Sequence, residues 1–581
     1  MGSPRTAMNQ APPYCHGSGC QGLLVAFMLL ASSTVQAQDL SDIKGQKPVQ
    51  FSGSATLQGG PYLYSGDGDP RNLPWFWNAN GNVNVALYGW QLPFSFSLGS
   101  QQRTFTQPFN RYGVSPYYKW IKLHAGYRSM RFNPYTLSGL QFFGGGLELE
   151  PKGFRFGAFY GRFSKPVAQD TLASISPVPA YERTGYGVKI GVGSPRTYVD
   201  FSMVHVQDDP NSIPDAVGNA RFTPMENIAA GISARVRLLK KLTWQFDAGA
   251  SALTEDTQLP VASDLEVPKF TTGFFTSRLG TKALFAGNTG LAWSGKNLGM
   301  KVNARQVDPG YRSLAAVYQQ TDVRAITLEP TVRIKKNVWR LSGSIGWQED
   351  NVRKQKAVAS VRTIGSASVS WNPTRMYGLD ASYGNYGIQQ QAGLQVLNDT
   401  FRVAVANRSI NLSQRFIRAN NIRVWTATLT TGLQQLQDLN PFGSFASTEN
   451  QVLYGNLFLG RTRNRDNFSV NGGLNYSSNS TSIGTSVLIG PTVGTSLQFA
   501  KVKAMSSVNM TWNKALQDGK AAGTTLNFNG NIQYKLSTAH RLQLTVTALR
   551  NETSFVTSRR FTEIRFQGGY VFLLQPKPAK K

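Results

Sequence analysis

The sequence predicts an all-β protein, folded as a single large transmembrane, antiparallel, up-and-down β-barrel. Three observations predict this fold: long apolar–polar alternation, a regular exchange of tight and long connections, and no run of about 18 apolar residues beyond the N-terminus. The alternation is clearest in the hairpin 226–252. Its apolar face comprises Ile228, Ala230, Ile232, Ala234, Val236, Leu238, Leu242, Trp244, Phe246, Ala248, Ala250 and Ala252. Because successive side chains on a strand point to opposite faces, each strand has one apolar and one polar side.

The strands of this hairpin are long. Each spans about a dozen residues, against about five or six in a globular sheet, and a tilted transmembrane strand needs roughly 9–11. The same alternation returns in residues 298–305, 339–347 and 525–536. A soluble β-sandwich can also alternate, but repetition along the whole chain favours a membrane barrel.

Tight and long connections follow one another, as expected for periplasmic turns and extracellular loops. Strand-breaking residues predict short turns near 89–91, 120–122, 151–153, 193–196, 239–241, 295–296, 336–337, 372–375, 413–414, 463–466, 500–503 and 537–540. Longer connections include 58–79, 165–180, 207–224, 254–281, 308–321 and 434–449. About twelve turns and about thirteen loops predict about 26 strands, with 24–28 allowed by the uncertainty of strand ends.

The domain organisation follows from the N-terminus. Residues 1–37 have the pattern of a signal peptide, with the apolar run 22–30 and the small-residue site Val35-Gln36-Ala37. We expect a short periplasmic lead at 38–48, the barrel at 49–574 and a basic C-terminal tail at 575–581. Both cysteines, Cys15 and Cys20, precede the cleavage site, so no thiol is expected in the mature chain.

Composition also favours a barrel over a helical membrane protein. Charged residues make up 16% of the chain, against about 25% in soluble proteins. The mean hydropathy is nevertheless only −0.27, because a barrel with a polar lumen hides half of each strand from lipid. Export together with this strand pattern predicts the bacterial outer membrane as the location.

The last strand, 560–574, ends in Tyr570-Val571-Phe572-Leu573. This ending resembles the aromatic C-terminal strand that the outer-membrane insertion machinery recognises. The chain therefore resembles the outer-membrane β-barrel proteins of Gram-negative bacteria. Its strands are rich in aromatic residues and glycine, as in Tyr117-Tyr118-Lys119-Trp120 and Gly126-Tyr127-Arg128, and in this they are similar to the strands of uncharacterised barrels of Bacteroidota. The resemblance implies that the insertion machinery, outer-membrane lipids and lipopolysaccharide are partners, and it assigns no functional family.

The sequence predicts no catalytic residue, metal or cofactor. The histidines of the expected mature chain, His124, His205 and His540, lie far apart, and His124 has Ser129 on its own strand rather than across from it. Asp67-Gly68-Asp69 lacks the further oxygen ligands of a calcium loop, so a turn is favoured. Gly144-Gly145-Gly146 lies inside an expected strand and not in a phosphate-binding loop. We expect no enzyme.

Charge is the unusual property of the chain, with Lys+Arg 60 against Asp+Glu 31 and a net charge of +29. Nucleic acid is not an expected partner, because the basic residues are spread over an exported barrel. A subset opposes the apolar stripes and is expected to face the lumen, where it would favour anions: Arg235, Arg237, Lys301, Arg305, Arg340 and Lys535. Trp75, Phe76 and Trp77 are expected at the outer rim, as girdle residues or as a ligand platform.

About 26 strands would enclose a lumen wider than that of the 16–18-stranded porins. The short lead leaves no room for the plug of a TonB-dependent transporter, so inward loops, a flattened section or another protein should fill the lumen. The longest connection, 254–281, is a candidate constriction. We expect a barrel that conducts or translocates solutes or polypeptide in a complex with a separate plug or cap protein. The alternatives are a stand-alone, anion-favouring porin with loops folded into the lumen, and a non-conducting scaffold for a surface, secretion or motility assembly.

Overall fold

The computed structural model describes residues 49–100, 109–168, 179–213, 222–262, 273–317, 319–355, 361–390, 403–438, 450–499, 501, 503–554 and 559–574. The predicted signal peptide 1–37, lead 38–48 and tail 575–581 lie outside these residues. No helix in the described ranges is long and apolar enough to cross a membrane.

The described chain consists of β-strands and their connections. The strands are β1 (Val49–Gly66), β2 (Trp75–Leu87), β3 (Trp90–Gly99), β4 (Arg111–Val114), β5 (Tyr117–Tyr118), β6 (Ile121–Arg128), β7 (Phe142–Leu149), β8 (Phe154–Ser164), β9 (Glu182–Ser194), β10 (Thr197–Asp209), β11 (Glu226–Leu239), β12 (Leu242–Thr254), β13 (Lys282–Ser294) and β14 (Leu298–Val307). They continue as β15 (Val323–Ile334), β16 (Trp339–Glu349), β17 (Val361–Trp371), β18 (Tyr377–Gln390), β19 (Val403–Ala419), β20 (Arg423–Asp438), β21 (Asn450–Arg463), β22 (Phe468–Thr481), β23 (Gly484–Phe499), β24 (Ala504–Gln517), β25 (Lys520–Lys535), β26 (His540–Thr553) and β27 (Arg559–Leu574).

The sheet closes on itself. Neighbouring strands pair antiparallel, and β1 pairs with both β2 and β27, with Gly53 opposite Leu574 and Gly66 opposite Phe561. Both β4 and β5 lie between β3 and β6. They form one barrel strand, interrupted at Ser115-Pro116, where proline has no N–H to donate to the ladder. The predicted all-β, 26-stranded barrel is therefore confirmed.

Strand alternation separates an apolar outer surface from a polar lumen. In β11 the side chain of Ile232 is exposed on the outside, whereas Asn227 and Ser233, on the opposite face, are buried inside the barrel. Large exposed apolar side chains recur around the outer surface, for example at Leu57, Leu63, Phe201, Phe285, Ile345, Leu459 and Val493. A soluble monomer rarely exposes so much contiguous apolar surface, whereas lipid requires it.

The connections form two rims. The short-turn rim carries the β2–β3, β9–β10 and β11–β12 turns, together with Val49 and Leu574, and the long-loop rim lies opposite. Two connections on the long-loop rim are nevertheless tight turns, at 482–483 and 518–519. Strand lengths also differ around the barrel: β6 and β7 have 8 residues, β23 and β25 have 16, and β1 has 18.

Two predicted boundaries were wrong. The turn predicted at 413–414 lies inside β19, and the chain turns at 420–422 instead, where the Asn420 carboxamide accepts the N–H groups of Ile422 and Arg423 at 3.0 and 2.7 Å. Ser413 faces the polar lumen and Gln414 the outer surface, and two polar residues in succession have the composition of a turn. The first strand, expected to end at Leu57, runs to Gly66 because Gly59 and Gly60 stay within the ladder.

Two connections turn into the lumen. Residues 129–141 join β6 to β7 and residues 308–322 join β14 to β15; we call them the inner segments. Their apolar side chains pack with those of the barrel wall in two core clusters. One core cluster comprises Met130, Phe132, Leu137, Phe142, Phe159, Phe163, Val204, Val206, Leu253, Leu314 and Ala315, and the second comprises Tyr135, Leu284, Ala286, Val307, Tyr311, Val323 and Ala325.

Candidate functional site in the barrel lumen

The two inner segments are joined to each other across the lumen. The Tyr311 hydroxyl donates to the carbonyl of Tyr135 at 2.7 Å, and the Ser313 hydroxyl donates to the carbonyl of Thr136 at 2.6 Å. The Gln319 carboxamide donates to the carbonyl of Pro134 at 2.5 Å. Burial raises the pKa of Tyr311, so its hydroxyl remains a neutral donor. The segments therefore form one body inside the barrel.

Segment 129–141 is fixed to the barrel wall by buried polar contacts. The Asn133 carboxamide donates to the Ser233 hydroxyl and to the carbonyl of Ile232, both at 3.0 Å. The hydroxyls of Thr136 and Ser202 lie 3.2 Å apart. Because each of these polar groups is buried, removing one partner leaves the other unsatisfied, which costs about 1–3 kcal/mol.

Segment 308–322 has its own wall contacts. The N–H of Leu314 donates to the Asn227 side chain at 3.1 Å, and the Ser251 hydroxyl donates to the carbonyl of Arg312 at 2.7 Å. Asn227 and Ser251 are also hydrogen-bonded to each other, at 2.8 Å. The polar face of the β11–β12 hairpin therefore binds the inner segments and does not line open lumen.

Glycines on the wall leave room for the inner segments. A Cβ added to Gly249 would lie 2.5 Å from the Cβ of Tyr135 and 2.8 Å from the Tyr311 hydroxyl, and one added to Gly231 would lie 2.9 Å from Thr136. A Cβ added to Gly146 would lie 2.5 Å from the sulfur of Met130, and one added to Gly157 would lie 2.9 Å from the ring of Phe132. Distances under 3.0 Å are too short for real side chains, so these four glycines allow the close approach.

The opposite side of the lumen is polar and uncharged. None of the lumen-facing positions in β21, β22, β23 and β24, strands that the structure describes completely, carries a charged side chain. We call this surface the amide wall; it includes Asn456, Asn471, Asn475, Asn509, Asn513, Ser469, Ser496, Thr492 and Thr511. Cross-strand hydrogen bonds connect it, with Asn475 donating to Thr492 at 2.5 Å and the hydroxyls of Thr492 and Thr511 2.8 Å apart.

Basic side chains gather inside the short-turn rim. The strand registers put four of the six predicted lumen residues there, Arg235, Arg237, Arg340 and Lys535, next to the short turns and on the lumen face. Three further residues share this position and face, namely Arg333, Arg415 and Arg541. We call these seven residues the basic ring, and all seven are exposed.

The other two predicted lumen residues, Lys301 and Arg305, make local contacts in the lumen. The Lys301 ammonium is 3.5 Å from the Glu329 carboxylate, and the Arg305 guanidinium donates to the carbonyl of Gln320, at the end of an inner segment, at 3.2 Å. The Lys301 charge is therefore paired with a carboxylate, whereas Arg305 contacts a neutral carbonyl group. Strand alternation alone could not separate these two residues from the four in the basic ring.

A second basic region lies between the inner segments and the long-loop rim. A cavity of about 630 Å³ is lined by three guanidinium groups, from Arg111, Arg183 and Arg312, and by one carboxylate, that of Asp208. Arg183 holds this carboxylate with two hydrogen bonds, at 2.7 and 2.8 Å. We call this space the outer cavity, and its guanidinium groups outnumber its carboxylate.

The predicted rim aromatics divide between the two faces of β2. Trp75 and Trp77 are 60% and 42% exposed, on the outside. Phe76 is 3% exposed on the lumen side, where the Arg565 guanidinium lies 3.7 Å from its ring centroid. The three residues therefore do not form one surface.

The histidines and the Asp67 loop have separate surroundings. His205 pairs with Glu226 at 3.0 Å, and His540 contacts the Tyr570 hydroxyl at 2.5 Å. The Asp67 carboxylate accepts the N–H of Arg560 at 3.0 Å, as a turn residue does. In the described ranges, no group of three or more His, Cys, Asp or Glu side chains is arranged to hold a metal ion.

The inner segments are the main feature that sequence reasoning missed. Inward loops are one of the predicted ways to fill the lumen, and 308–321 is a predicted long connection, but the sequence analysis assigns the constriction to 254–281 and does not single out 129–141. The sequence does contain a signal that 129–141 is buried. This connection holds four large apolar residues, Met130, Phe132, Tyr135 and Leu137, and surface loops seldom contain so many. The expected constriction 254–281 lies partly outside the described residues, and its described ends pair at Val261 and Arg278.

No protein-family model matches the chain, and no curated protein matches it in sequence. Several solved structures have a similar fold. The copper transporter OprC is 9% identical, with a TM-score of 0.41 over 90% of this chain and 80% of that chain. The FrpB iron transporter from Neisseria meningitidis (F5-1 variant) is 10% identical, with a TM-score of 0.41 over 93% and 84%.

A third similar structure is the translocation pore of the P pilus usher PapC. It is 12% identical, with a TM-score of 0.37 over 90% of this chain and 99% of that chain. At such identities and scores the likeness concerns the large β-barrel fold alone. The predicted similarity to barrels of Bacteroidota stays a prediction.

Proposed function

We propose that this protein is an outer-membrane channel for small anionic solutes, with a lumen narrowed by its own inner segments. Of the functions considered from the sequence, this is the anion-favouring porin that works alone. The basic ring is the observation that carries the proposal. The outer cavity adds a basic region at the other end of the lumen, so a solute would meet positive charge on entering from either side.

The outer membrane is the location that suits this barrel. In hydrocarbon every backbone N–H and C=O must be bonded internally, and closure through β1 and β27 leaves no free sheet edge. The outward apolar side chains match an acyl-chain environment. We expect outer-membrane lipids and lipopolysaccharide to surround it, after the insertion machinery has delivered it and the signal peptide has been removed.

The basic ring has a positive excess. Of the nearby carboxylates, Asp200 is paired with the Arg155 guanidinium at 2.8 Å, whereas Asp247 accepts only from the neutral Ser233 hydroxyl, at 2.6 Å. Asp380 faces the lumen at a similar level. Two carboxylates without a basic partner, against seven basic side chains, leave a field that attracts anions and repels cations.

The test is planar-bilayer conductance of the purified barrel, with the reversal potential measured across a KCl gradient. We expect an anion-selective reversal potential, and a shift toward zero in the variant R235Q/R333Q/R340Q. The matched control is R418Q/R423Q/R461Q, which removes the same charge beside the same rim but on the outward face. The control should keep the selectivity of the unmodified protein.

Two results would contradict the proposal. Cation selectivity would overturn it, as would equal shifts in the two triple variants, since the basic ring would then have no special role. A silent barrel with the correct β-sheet circular dichroism would favour the non-conducting scaffold instead.

A second candidate is the assembly with a separate plug or cap, conducting solutes or polypeptide. The amide wall favours it, because solvent-exposed Asn456 and Asn509, together with Asn529 on the adjacent β25, face the lumen away from the inner segments and leave a surface for a partner. Affinity purification from membranes, followed by conductance before and after removal of any copurified protein, tests this candidate. A partner whose loss raises conductance would support it; a pure barrel with unchanged conductance would contradict it.

A further inference from the structure

A serine, a histidine and a glutamate form a hydrogen-bonded row on the lumen side of three adjacent barrel strands. The Ser115 hydroxyl lies 3.1 Å from Nδ1 of His124, and Nε2 of His124 lies 2.7 Å from Oε1 of Glu148. Ser115 sits at the interruption between β4 and β5, His124 on β6 and Glu148 on β7. His124 is 6% exposed, so its ring is held between these two partners. Nucleophile, base and acid in contact are the arrangement of hydrolases that act through serine.

Ser115 lines a cavity of about 440 Å³, whose walls also include Arg128, Asn84 and Ser95. Two buried polar atoms in these walls have no hydrogen-bond partner among the described residues, Nε of Arg128 and Oδ1 of Asn84. Buried polar groups are nearly always satisfied in native proteins. The cavity that Ser115 lines therefore has strongly polar residues in its walls.

The Arg128 guanidinium is held next to the serine. The N–H of Ser115 donates to the carbonyl of Pro93 at 3.1 Å, and Nη2 of Arg128 reaches the same carbonyl at 3.4 Å. Nη1 of Arg128 donates to the Ser95 hydroxyl at 2.6 Å, and Nη2 also donates to the carbonyl of Gly113. These contacts fix a positive charge beside the Ser115 hydroxyl while Nε stays unused.

We propose that Ser115, His124 and Glu148 form a catalytic triad that hydrolyses small esters of polar alcohols within the lumen. This activity goes beyond solute conduction and is independent of it. Ester hydrolysis suits the site because the cavity has room for an acyl group of acetyl size, while Ser52, Asn82 and Ser95 offer hydrogen bonds to the alcohol.

The reaction has two halves. The Ser115 oxygen attacks the ester carbonyl carbon while its proton passes to Nδ1 of His124, which gives a tetrahedral oxyanion. As the intermediate collapses, the bond to the alcohol oxygen breaks, and the leaving alkoxide takes the proton from His124. Water then attacks the acyl-serine, gives a proton to His124, and the acid leaves as that proton returns to the serine oxygen.

Glu148 and Arg128 have distinct roles in this scheme. Glu148 accepts the Nε2–H of His124 and stabilises the imidazolium that forms in each half. The positive charge of the Arg128 guanidinium, fixed in the same cavity wall, would stabilise the oxyanion electrostatically. Lys122, 3.1 Å from Glu148, keeps that carboxylate charged and oriented.

The test is covalent labelling of the full-length barrel, in detergent micelles, with a fluorophosphonate probe, followed by peptide mass mapping. We expect labelling at Ser115, and hydrolysis of p-nitrophenyl acetate that the label abolishes. S115A should remove both, and H124Q should slow labelling by about 10²-fold or more. The matched control is S507A, which removes a lumen-facing hydroxyl on β24, outside the cavity and away from the histidine. It should be labelled at the unmodified rate.

A second measurement distinguishes a loss of labelling caused by misfolding from one caused by the missing side chain. Each variant is first required to show the circular dichroism and conductance of the unmodified barrel. A folded, unmodified protein in which Ser115 stays unlabelled would overturn the proposal. So would a folded H124Q variant labelled at the unmodified rate, since the histidine would then be only a buried partner of Glu148.

Discussion

At the scale of single residues, four glycines decide how closely the inner segments approach the wall. A glycine in a strand is usually a weakness, because it has no side chain to pack. Here the missing Cβ atoms of Gly146, Gly157, Gly231 and Gly249 are the contact surface itself. The width of the lumen therefore depends on these positions as much as on the segments.

Replacing Gly249 by leucine should loosen the constriction. The new side chain would overlap Tyr135 and the Tyr311 hydroxyl, so the segments must move off the wall. We expect a higher and noisier single-channel conductance, and a loss of about 1–3 kcal/mol in the free energy of unfolding. The control is Gly569→Leu, at a lumen glycine whose nearest neighbour would lie 3.4 Å from the added Cβ. Equal conductance changes in the two variants would contradict this role of Gly249.

Residue chemistry could be predicted from the sequence only where it stays within one strand. Alternation placed Arg235 and Arg340 on the face opposite the apolar stripe. The partner of His124 could not be found in this way, because Ser129 follows it on the chain while Ser115 meets it across the β4–β6 pairing. Which residues face each other across strands depends on register, and register depends on turn lengths.

At the scale of elements, the inner segments act as one rigid body. The hydroxyls of Thr136 and Ser202 are close enough, at 3.2 Å, for a disulfide between cysteines at these positions. In a T136C/S202C variant that also carries C15S/C20S, we expect oxidation to form the cross-link and leave conductance unchanged. The measurement is conductance before and after reduction, with T136C alone as the control. A large change on reduction would show that the segment leaves the wall.

Shortening an inner segment should widen the channel. The ends of segment 308–322 lie close together, because the N–H of Asp322 donates to the carbonyl of Asp308 at 3.2 Å. An Asn-Gly turn can therefore replace residues 309–321. We expect a several-fold higher conductance with anion selectivity kept, because the basic ring is untouched. The control replaces 168–179 by the same turn, between the paired residues Val167 and Ala180. An unchanged conductance in the first variant would rule out constriction by this segment.

Elements were predictable in number and type, because alternation over a dozen residues is a strong local signal. Their ends were less so. Gly59 and Gly60 are turn residues by composition, yet they remain in β1, because both pair with β2 and Gly59 also pairs with β27. The inward course of 129–141 could not be derived from alternation at all, because it depends on wall glycines in distant strands.

At the scale of the whole molecule, charge is unevenly distributed around the lumen. The amide wall is neutral, while the basic ring and the outer cavity are positive. Screening lengths are about 10 Å at 0.1 M salt and about 3 Å at 1 M. We therefore expect anion selectivity to be strong in dilute KCl and weak in concentrated KCl, as measured by reversal potentials at a fixed concentration ratio. In R235Q/R333Q/R340Q this dependence on salt should be smaller; an equal dependence would mean that charge elsewhere sets the selectivity.

The unequal strand lengths give the barrel a sloping top. With a rise of about 3.3 Å per residue and a tilt of about 40°, a strand of 16 residues stands about 40 Å tall and one of 8 about 20 Å. The hydrocarbon band of such barrels is about 25 Å. The strands of the amide wall should therefore extend beyond the hydrocarbon band, where their exposed ends would contact the sugar layer of the cell surface. Large molecules would therefore contact the uncharged, hydrogen-bonding side chains of the amide wall before they reach the entrance of the lumen.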